Sequence, residues 1–304
     1  MSKTIHLGLS TSAFRTVMGI DLFLRAHPSS VSQCPVTVND ADEAALERFA
    51  RNVAAAMNEQ PVIEYSELYH SLCWDNDKII RIYSEEAKYK FWSVHAVYGN
   101  YGDPSSPIKE IRDLALKGYK AAADTARALG AKIIVIHPGA EAEYDMPRKE
   151  RINLAVSTIG KAAEYAAKYD LMIGIEPLPP ELDIGSSLEE TMHIVDLIGG
   201  GPVGINFDVN HLFPAKDIPN LIREAGSMIK SFHLSDQDDS ERHWMPGKGK
   251  LDWKAIFDAM GDIGYDNPVI YESHDPDCPT YSENTKAVAD NFVSLIESCG
   301  YNHI

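Results

Sequence analysis

Six consecutive apolar segments of this 304-residue chain end in a carboxylate or an imidazole. The segments read KFWSVHAVYG, AKIIVIHPG, LMIGIEPLP, VGINFDVNH, IKSFHLSD and NPVIYES. The polar residues near their ends are His95, His137, Glu176, Asp208 with His211, His233 and Glu272. A charged group at the end of a buried strand is costly unless a partner compensates it. This repeated pattern therefore predicts one common site.

Three of these residues are carboxylates, and grouping them without a cation would be unfavourable. Like charges in one site raise the pKa values of the acids and destabilise the site. A divalent metal ion removes that repulsion, and oxygen-rich ligation favours Mn²⁺ or Mg²⁺, with Co²⁺ or Zn²⁺ as alternatives. The structural alternative is that the carboxylates and imidazoles hydrogen-bond to one another. We predict one bound divalent ion, with Mn²⁺ as the first choice.

Alternating strand-like and helix-like patterns would position these residues. Strand patterns cover 5–11, 61–67, 90–99, 131–139, 171–179, 203–211, 229–236 and 267–273. Helix patterns cover 40–57, 76–90, 108–130, 148–169, 187–200, 217–228, 252–265 and 282–298. Gly130 is placed as a C-cap, and Ser187 and Glu190 have the spacing of a capping box.

Eight β-then-α units in a chain of this length predict a single (β/α)8 TIM barrel, one domain covering residues 1–304. The C-terminal ends of parallel barrel strands form one rim, where barrel enzymes carry their chemistry. The polar strand ends would therefore meet there. A doubly wound open sheet is the alternative fold, but GLSTSAF after the first strand lacks the GxGxxG phosphate turn.

The charge balance narrows the choice of partners. Lys plus Arg is 28 and Asp plus Glu is 45, which gives a formal net charge of −17, and there is no basic run. Nucleic acid and anionic membranes are therefore disfavoured as partners. The four cysteines (Cys34, Cys73, Cys278 and Cys299) form no CxxC pair, and no signal-peptide or membrane-helix pattern is present. We expect a cytoplasmic protein that binds a neutral small molecule, with homo-oligomerisation left open.

The ordered motifs GIEPLP, FDVNH, FHLSD, PGKGKLDW and VIYES resemble the xylose-isomerase-like TIM barrels. Within that superfamily the likeness is to the sugar isomerase/epimerase group that includes D-tagatose and D-psicose 3-epimerases. The resemblance implies one divalent ion held by Glu176, Asp208, His233 and Glu272. It also implies that Glu176 and Glu272 act as acid and base on either side of the substrate carbon. His211 would contact a substrate oxygen.

The implied reaction has definite physical requirements. Removing a proton next to a carbonyl requires a Lewis acid that stabilises the enediolate and a base within hydrogen-bond reach. We therefore expect a metal-dependent isomerase or epimerase acting on a carbohydrate, unphosphorylated because no Lys/Arg clamp is visible. A lyase or dehydratase acting on an inosose or keto-glycoside is one alternative, and a binding module with a structural metal is another.

Endonuclease IV, the zinc enzyme that cuts DNA at abasic sites, belongs to the same superfamily and is also similar. Its nine zinc-ligand positions correspond to His95, His137, Glu176, Asp208, His211, His233, Glu241, His243 and Glu272. This chain has Glu241 where that family has Asp, so the carboxylate is displaced by about one methylene. The net charge also argues against a DNA minor-groove binder. We expect His95, His137 and His243 to contact substrate or to support the ligands.

The segment SDQDDSERHWMPGKGKLDW after the seventh strand is a long loop in which Gly247 and Gly249 suit a tight path. Trp244 could stack on a sugar face or anchor the loop, and Arg242 is a weak match to a substrate-contacting arginine of the epimerases. Further candidates are Tyr98, Trp74 and Phe14 for a sugar-binding wall, with core packing as the alternative, and Glu64, placed at the end of strand 2, for a salt bridge.

Overall fold

The computed structural model describes residues 4–18, 40–70, 76–100, 102–140, 143–199, 202–273 and 278–303. Eight parallel strands form a closed barrel in chain order, with the last strand hydrogen-bonded to the first. They are β1 (Leu7–Ser10), β2 (Ile63–Tyr69), β3 (Lys90–His95), β4 (Ile133–Ile136), β5 (Met172–Ile175), β6 (Val203–Asp208), β7 (Ile229–Leu234) and β8 (Val269–Tyr271). The TIM-barrel prediction is confirmed and the open-sheet alternative is wrong.

Helices follow the strands in the order that the pattern predicts. They are α1 (Asp40–Asn58), α2 (Asn76–Glu86), α3 (Lys109–Leu129), α4 (Arg148–Ala166), α5 (Leu188–Ile198), α6 (Ile218–Ala225), α7 (Trp253–Asp262) and α8 (Tyr281–Ser298). A 3-10 turn, Thr11–Phe14, and one helical turn, Arg15–Met18, follow β1. In the part of the chain that the structure describes, every helix is too short or too polar to cross a bilayer.

Two helix ends illustrate how local sequence sets the boundaries. Gly130 ends α3 with φ of 75°, a left-handed conformation that favours glycine. Ser187 begins α5, and its Oγ accepts from the Glu190 backbone N–H at 3.2 Å. The predicted capping box is only half formed, because the Glu190 carboxylate accepts instead from the Gly185 backbone N–H.

The hydrophobic core lies mainly between the strands and the surrounding helices. A smaller cluster of Trp92, Ile133, Val135 and Ile270 is separate from it. Trp92 Nε1 on β3 donates to Ser231 Oγ on β7 at 3.2 Å, a bond between non-adjacent strands that crosses the barrel interior. The interior is therefore packed with side chains, as in other eight-stranded barrels.

Six of the predicted strands run two to four residues too far at their C-terminal ends. Glu176 follows β5 and Glu272 follows β8, so both lie in the first residues of rim loops. Glu64 lies near the start of β2, and its placement at the end of that strand is wrong. The salt bridge expected for it is present, with Glu64 Oε1 2.8 Å from His6 Nδ1.

Candidate active site

Four strands bring the predicted metal ligands to the C-terminal rim of the barrel. Glu176 comes from β5, Asp208 from β6, His233 from β7 and Glu272 from β8, and the exposed fraction of each is 7% or less. One donor atom from each lies within 4.8 Å of the other three. Nearness alone does not establish binding, so their role as ligands stays a prediction.

The separations between these donor atoms are those of a ligand cluster. His233 Nδ1 lies 2.9 Å from Glu272 Oε2, 3.4 Å from Glu176 Oε1 and 4.0 Å from Asp208 Oδ2. Donors about 2.0–2.2 Å from one ion stand about 3–3.5 Å apart in tetrahedral or octahedral geometry. The site therefore fits a small divalent ion with little rearrangement.

Three buried polar atoms of this cluster lack well-formed hydrogen bonds and lie next to one another. Among the described residues, Glu176 Oε1, Asp208 Oδ2 and His233 Nδ1 are buried and form no hydrogen bond of good geometry, although His233 Nδ1 lies close to the Glu272 carboxylate. Buried polar atoms without partners are rare and call for an explanation such as an ion. A cation bound between these three atoms and Glu272 would satisfy all of them.

Two further donor groups adjoin this one. His95 and His137 approach Glu176 from one side, with their Nε2 atoms 3.5 Å and 3.8 Å from Glu176 Oε2. Asp208, His211 and His243 form the other group. The structure thus brings all the predicted imidazoles to one rim, and His211 Nδ1, 3.2 Å from Glu176 Oε1, lies slightly closer to that oxygen than His233 Nδ1 does.

Backbone carbonyls orient three of the imidazoles. The Nδ1–H groups of His95, His211 and His243 lie where they donate to the carbonyls of Ala96, Pro177 and Glu272, at 2.9 Å, 3.0 Å and 3.0 Å. In the neutral rings this makes Nε2 the nitrogen that carries the lone pair. A histidine whose other nitrogen is held in this way is suited to bind a metal or a substrate hydroxyl.

The pKa shifts reflect mutual compensation inside a buried cluster. Burial raises the pKa of Asp208 to about 6. Burial lowers the pKa of His211, but the Asp208 and Glu176 carboxylates outweigh that effect and raise it to about 10. Burial would also raise the pKa of Glu176, but His233 and His211 hold it well below its usual range. Without an ion, imidazolium charge is what offsets the carboxylates.

His137 behaves differently from the other imidazoles. Burial lowers its pKa to about 3 despite the nearby Glu176 carboxylate. A neutral imidazole offers a lone pair rather than a charge. His137 is therefore suited to accept a hydrogen bond from a substrate hydroxyl or to bind a cation. It is not suited to neutralise a carboxylate.

Sequence reasoning missed Glu67, which is completely buried beneath the site. Its Oε2 accepts from His233 Nε2 at 2.9 Å and from Ser93 Oγ at 2.8 Å. The sequence does carry a signal for it, because Glu67 is the last residue of the predicted strand 61–67. Ser12 and Asn206 were also missed and have no comparable signal.

Ser12 and Asn206 each hold one oxygen of the proposed acid–base pair. Ser12 Oγ donates to Glu272 Oε1 at 3.3 Å, and Asn206 Nδ2 donates to Glu176 Oε2 at 3.1 Å. Each carboxylate is therefore restrained through one oxygen while the other faces the donor cluster.

Asp236 anchors the long loop after β7. Its Oδ2 accepts from the Gly247 backbone N–H at 2.7 Å and from Trp253 Nε1 at 2.9 Å, and its Oδ1 accepts from the Leu251 backbone N–H at 3.2 Å. A Cβ on Gly249 would collide with the same carboxylate, so the tight path predicted for this glycine is confirmed.

The tip of that loop carries Glu241, Arg242, His243 and Trp244. Glu241 Oε1 lies 3.4 Å from His243 Nε2 and 4.0 Å from His211 Nε2, so the longer side chain still reaches these imidazoles. Arg242 pairs with Asp238 at 2.9 Å and lies over the Trp244 ring. Trp244 is thus packed within the loop and does not line the cavity.

A cavity of about 270 Å³ opens above the donor groups. Tyr69 and Tyr98 form part of its wall, and the Tyr69 ring lies 4.7 Å from the ring of His95. Tyr98 is thus at the site, as predicted. Phe14 is fully buried against Tyr281, which is the core alternative. Trp74, Cys34 and Cys73 lie outside the described residues.

The sequence is similar to one known protein family and to several individual proteins. A sequence model described as xylose isomerase-like TIM barrel matches residues 63–295. The inosose isomerase of Bacillus velezensis is 25% identical over 192 residues, 57% of this chain and 68% of its own. The D-psicose 3-epimerase of Enterocloster bolteae is 32% identical over 120 residues, 39% of this chain and 38% of its own. An uncharacterised protein of Methanocaldococcus jannaschii is 25% identical over 186 residues, 59% of this chain and 63% of its own. The chain thus spans less than two thirds of two of these three relatives.

Solved structures share the architecture over nearly the whole chain. The D-allulose 3-epimerase of Methylomonas sp. in complex with D-allulose superposes with a TM-score of 0.69 at 17% identity, covering 97% of each chain. A structure of L-ribulose 3-epimerase superposes with a TM-score of 0.70 at 16% identity, covering 99% of this chain and 96% of the other. At such low identity, these likenesses establish the fold.

Proposed function

Because the chain belongs to the xylose isomerase-like TIM-barrel family, we propose that it is a divalent-metal-dependent sugar isomerase or epimerase. The observation that carries this proposal is the convergence of Glu176 Oε1, Asp208 Oδ2 and His233 Nδ1 beside Glu272, all three buried and without a hydrogen bond of good geometry in the described chain. Named relatives that isomerise an inosose or epimerise D-psicose support the same reaction class.

Glu176, Asp208, His233 and Glu272 would hold the ion, with Mn²⁺ as the proposed metal. When bound, it supplies a Lewis acid that stabilises negative charge developing on a substrate oxygen. The remaining chemistry belongs to the protein's own side chains.

Glu176 and Glu272 are the proposed acid–base pair. They extend from β5 and β8, two strands that are not neighbours, so they approach the cavity from different directions. One carboxylate would take the proton next to the carbonyl and the other would return one to the opposite face. Ser12 and Asn206 orient these carboxylates through the hydrogen bonds already described.

The cavity suits a monosaccharide-sized ketone. Its volume of about 270 Å³ lies just below the range of about 300–1,000 Å³ that is usual for ligand pockets. Its wall offers imidazole nitrogens and tyrosines as hydrogen-bonding groups for hydroxyls. His95, His137 and His211 are the proposed hydroxyl contacts.

Proton exchange with solvent tests the reaction class directly. The Mn²⁺-loaded protein is incubated in deuterated water with a panel of ketoses, inososes and keto-glycosides, and mass spectrometry follows deuterium at the carbon next to the carbonyl. We expect exchange with at least one compound. Loss of water or of the aglycone in the same samples would identify the lyase or dehydratase alternative. Absence of exchange across the panel would contradict the proposal.

A second candidate is a multinuclear zinc phosphodiesterase similar to endonuclease IV. Three adjacent donor groups at one rim, with Glu241 reaching His211 and His243, favour it. The net charge of −17 argues against its DNA substrate. Elemental analysis decides between the two: one ion per chain supports the epimerase-like site, whereas two or three zinc ions together with cleavage of abasic DNA would support the phosphodiesterase.

A further inference from the structure

We propose that Glu67 is a positioning residue that orients the imidazole of His233 so that Nδ1 faces the metal site. This inference rests on the proposed function, because it assigns a role toward the same ion. Glu67 lies outside the four predicted ligands and belongs to β2, which contributes none of them.

The contact itself is direct and fully buried. Glu67 Oε2 lies 2.9 Å from His233 Nε2, and neither side chain has any exposed surface. β2 and β7 are not neighbours in the sheet, so the bond spans the barrel interior between residues 166 positions apart. An Nε2–H that donates to Glu67 leaves Nδ1 as the lone-pair nitrogen, turned toward Glu272, Glu176 and Asp208.

Ser93 keeps the Glu67 carboxylate in place. Ser93 Oγ, on the neighbouring strand β3, donates to the same Oε2 atom at 2.8 Å. The chain of contacts therefore runs from Ser93 through Glu67 to His233. Carboxylates that hold the second nitrogen of a metal-binding histidine fix its tautomer and raise its basicity.

A purely stabilising role fits Glu67 less well. Its Oε1 is buried and has no hydrogen-bond partner among the residues that the structure describes. A buried carboxylate with one unsatisfied oxygen is costly, and an apolar side chain of similar volume would often stabilise the fold better. Glu67 adds negative charge below a site that already contains three carboxylates, which a bound cation would offset.

The same strand provides a matched control. Glu64 also forms a carboxylate–imidazole contact, with Glu64 Oε1 2.8 Å from His6 Nδ1, but both side chains are about a quarter exposed, at 26% and 29%. The two pairs have similar lengths and the same chemistry. Only the pair formed by Glu67 includes a residue of the donor cluster.

Metal affinity distinguishes positioning from stabilisation. Mn²⁺ is titrated by calorimetry into the full-length metal-free protein and into the Glu67→Gln, Glu67→Ala, Ser93→Ala and Glu64→Gln variants. We expect Glu67→Ala, which removes the acceptor, to weaken Mn²⁺ binding by about 10–100-fold. Glu67→Gln, whose uncharged amide oxygen can still accept from His233 Nε2–H, and Ser93→Ala should weaken it less, and Glu64→Gln should leave it unchanged. Turnover by Glu67→Gln should recover when Mn²⁺ is raised to saturation.

Melting temperatures of the metal-free proteins accompany each titration. The near-isosteric Glu67→Gln keeps the test valid if Glu67→Ala does not fold. Unchanged Mn²⁺ affinity in folded Glu67→Ala, or in folded Glu67→Gln where Glu67→Ala does not fold, would overturn the inference while leaving the proposed function intact. Failure of the wild-type protein to bind Mn²⁺, Mg²⁺, Co²⁺ or Zn²⁺ would reject the proposed function, and this inference with it.

Discussion

Two buried charged clusters of the barrel differ in whether a permanent cation compensates their acids. Arg151 on α4 is fully buried, lies 3.5 Å from Asp103, pairs with Asp183 and donates to Ser105 Oγ at 2.7 Å. The rim cluster contains four buried carboxylates, Glu67, Glu176, Asp208 and Glu272. Within the described residues, their ion-pair partners are all histidines.

The difference shows which buried charges point to function. The Arg151 cluster contains its own counter-charge and ties α4 to the loops that follow β3 and β5, so it is complete as a structural element. The rim cluster depends on imidazole protonation unless a cation is supplied from outside. An uncompensated set of buried acids, rather than buried charge as such, is what indicates a binding site.

The largest effect is expected from Glu272→Gln. The amide can still accept from Ser12 Oγ, so the fold should persist, but it cannot take a proton. We expect kcat at saturating Mn²⁺ to fall by about 10³–10⁴-fold, the upper range for a general acid or base. Steady-state kinetics with the best substrate from the exchange screen measure this, and an unchanged kcat would refute the acid–base assignment.

A smaller effect, on stability alone, is expected from Arg151→Met. The substitution leaves Asp103 buried without its cation, which should lower the free energy of unfolding by about 3 kcal/mol. Urea denaturation measures the loss, and Asp103→Asn in the same chain should recover much of it because the buried negative charge is removed. A reduced Mn²⁺ stoichiometry in the folded variant would mean that the two clusters are not independent.

Of the three changes, metal removal should have the smallest effect. It lowers the free energy of unfolding by less than Arg151→Met does. Mn²⁺ at about 100 times its Kd stabilises a protein that binds it only when folded by about 2.7 kcal/mol. EDTA should therefore lower Tm, and excess Mn²⁺ should restore it, by the same increment in wild-type protein and in Arg151→Met. A Tm that is indifferent to EDTA would indicate that imidazolium charge alone stabilises the rim cluster.

The fold and most of the site were accessible from sequence for a topological reason. Parallel strands place their last residues at one rim, so a polar residue after each apolar run predicts convergence without any distance information. Glu176, Asp208, His233 and Glu272 were found in this way, and the structure brings them within 4.8 Å. Their ligand role awaits the metal titration.

What escaped prediction depends on contacts between elements that no local pattern records. The Glu67–His233 bond joins non-adjacent strands, and its formation depends on the width of the closed barrel. Arg151 lies in a charged first turn, RKER, that resembles a solvated helix start, yet tertiary packing buries it. Trp244 is the opposite case. The sequence suggested a place for it at a substrate site, but its ring packs under Arg242 within its own loop.

The hydrogen bond between Ser12 and Glu272 joins residues 260 positions apart across the seam where β8 meets β1. The donor cluster is consequently incomplete until the final strand has been added during folding, and a nascent chain that ends before residue 269 would present only three of its four members. Ion binding would therefore report closure of β8 on β1, since contacts between residues so far apart in sequence form late and slowly. High metal affinity would then distinguish closed barrels from those in which β8 has not yet paired with β1.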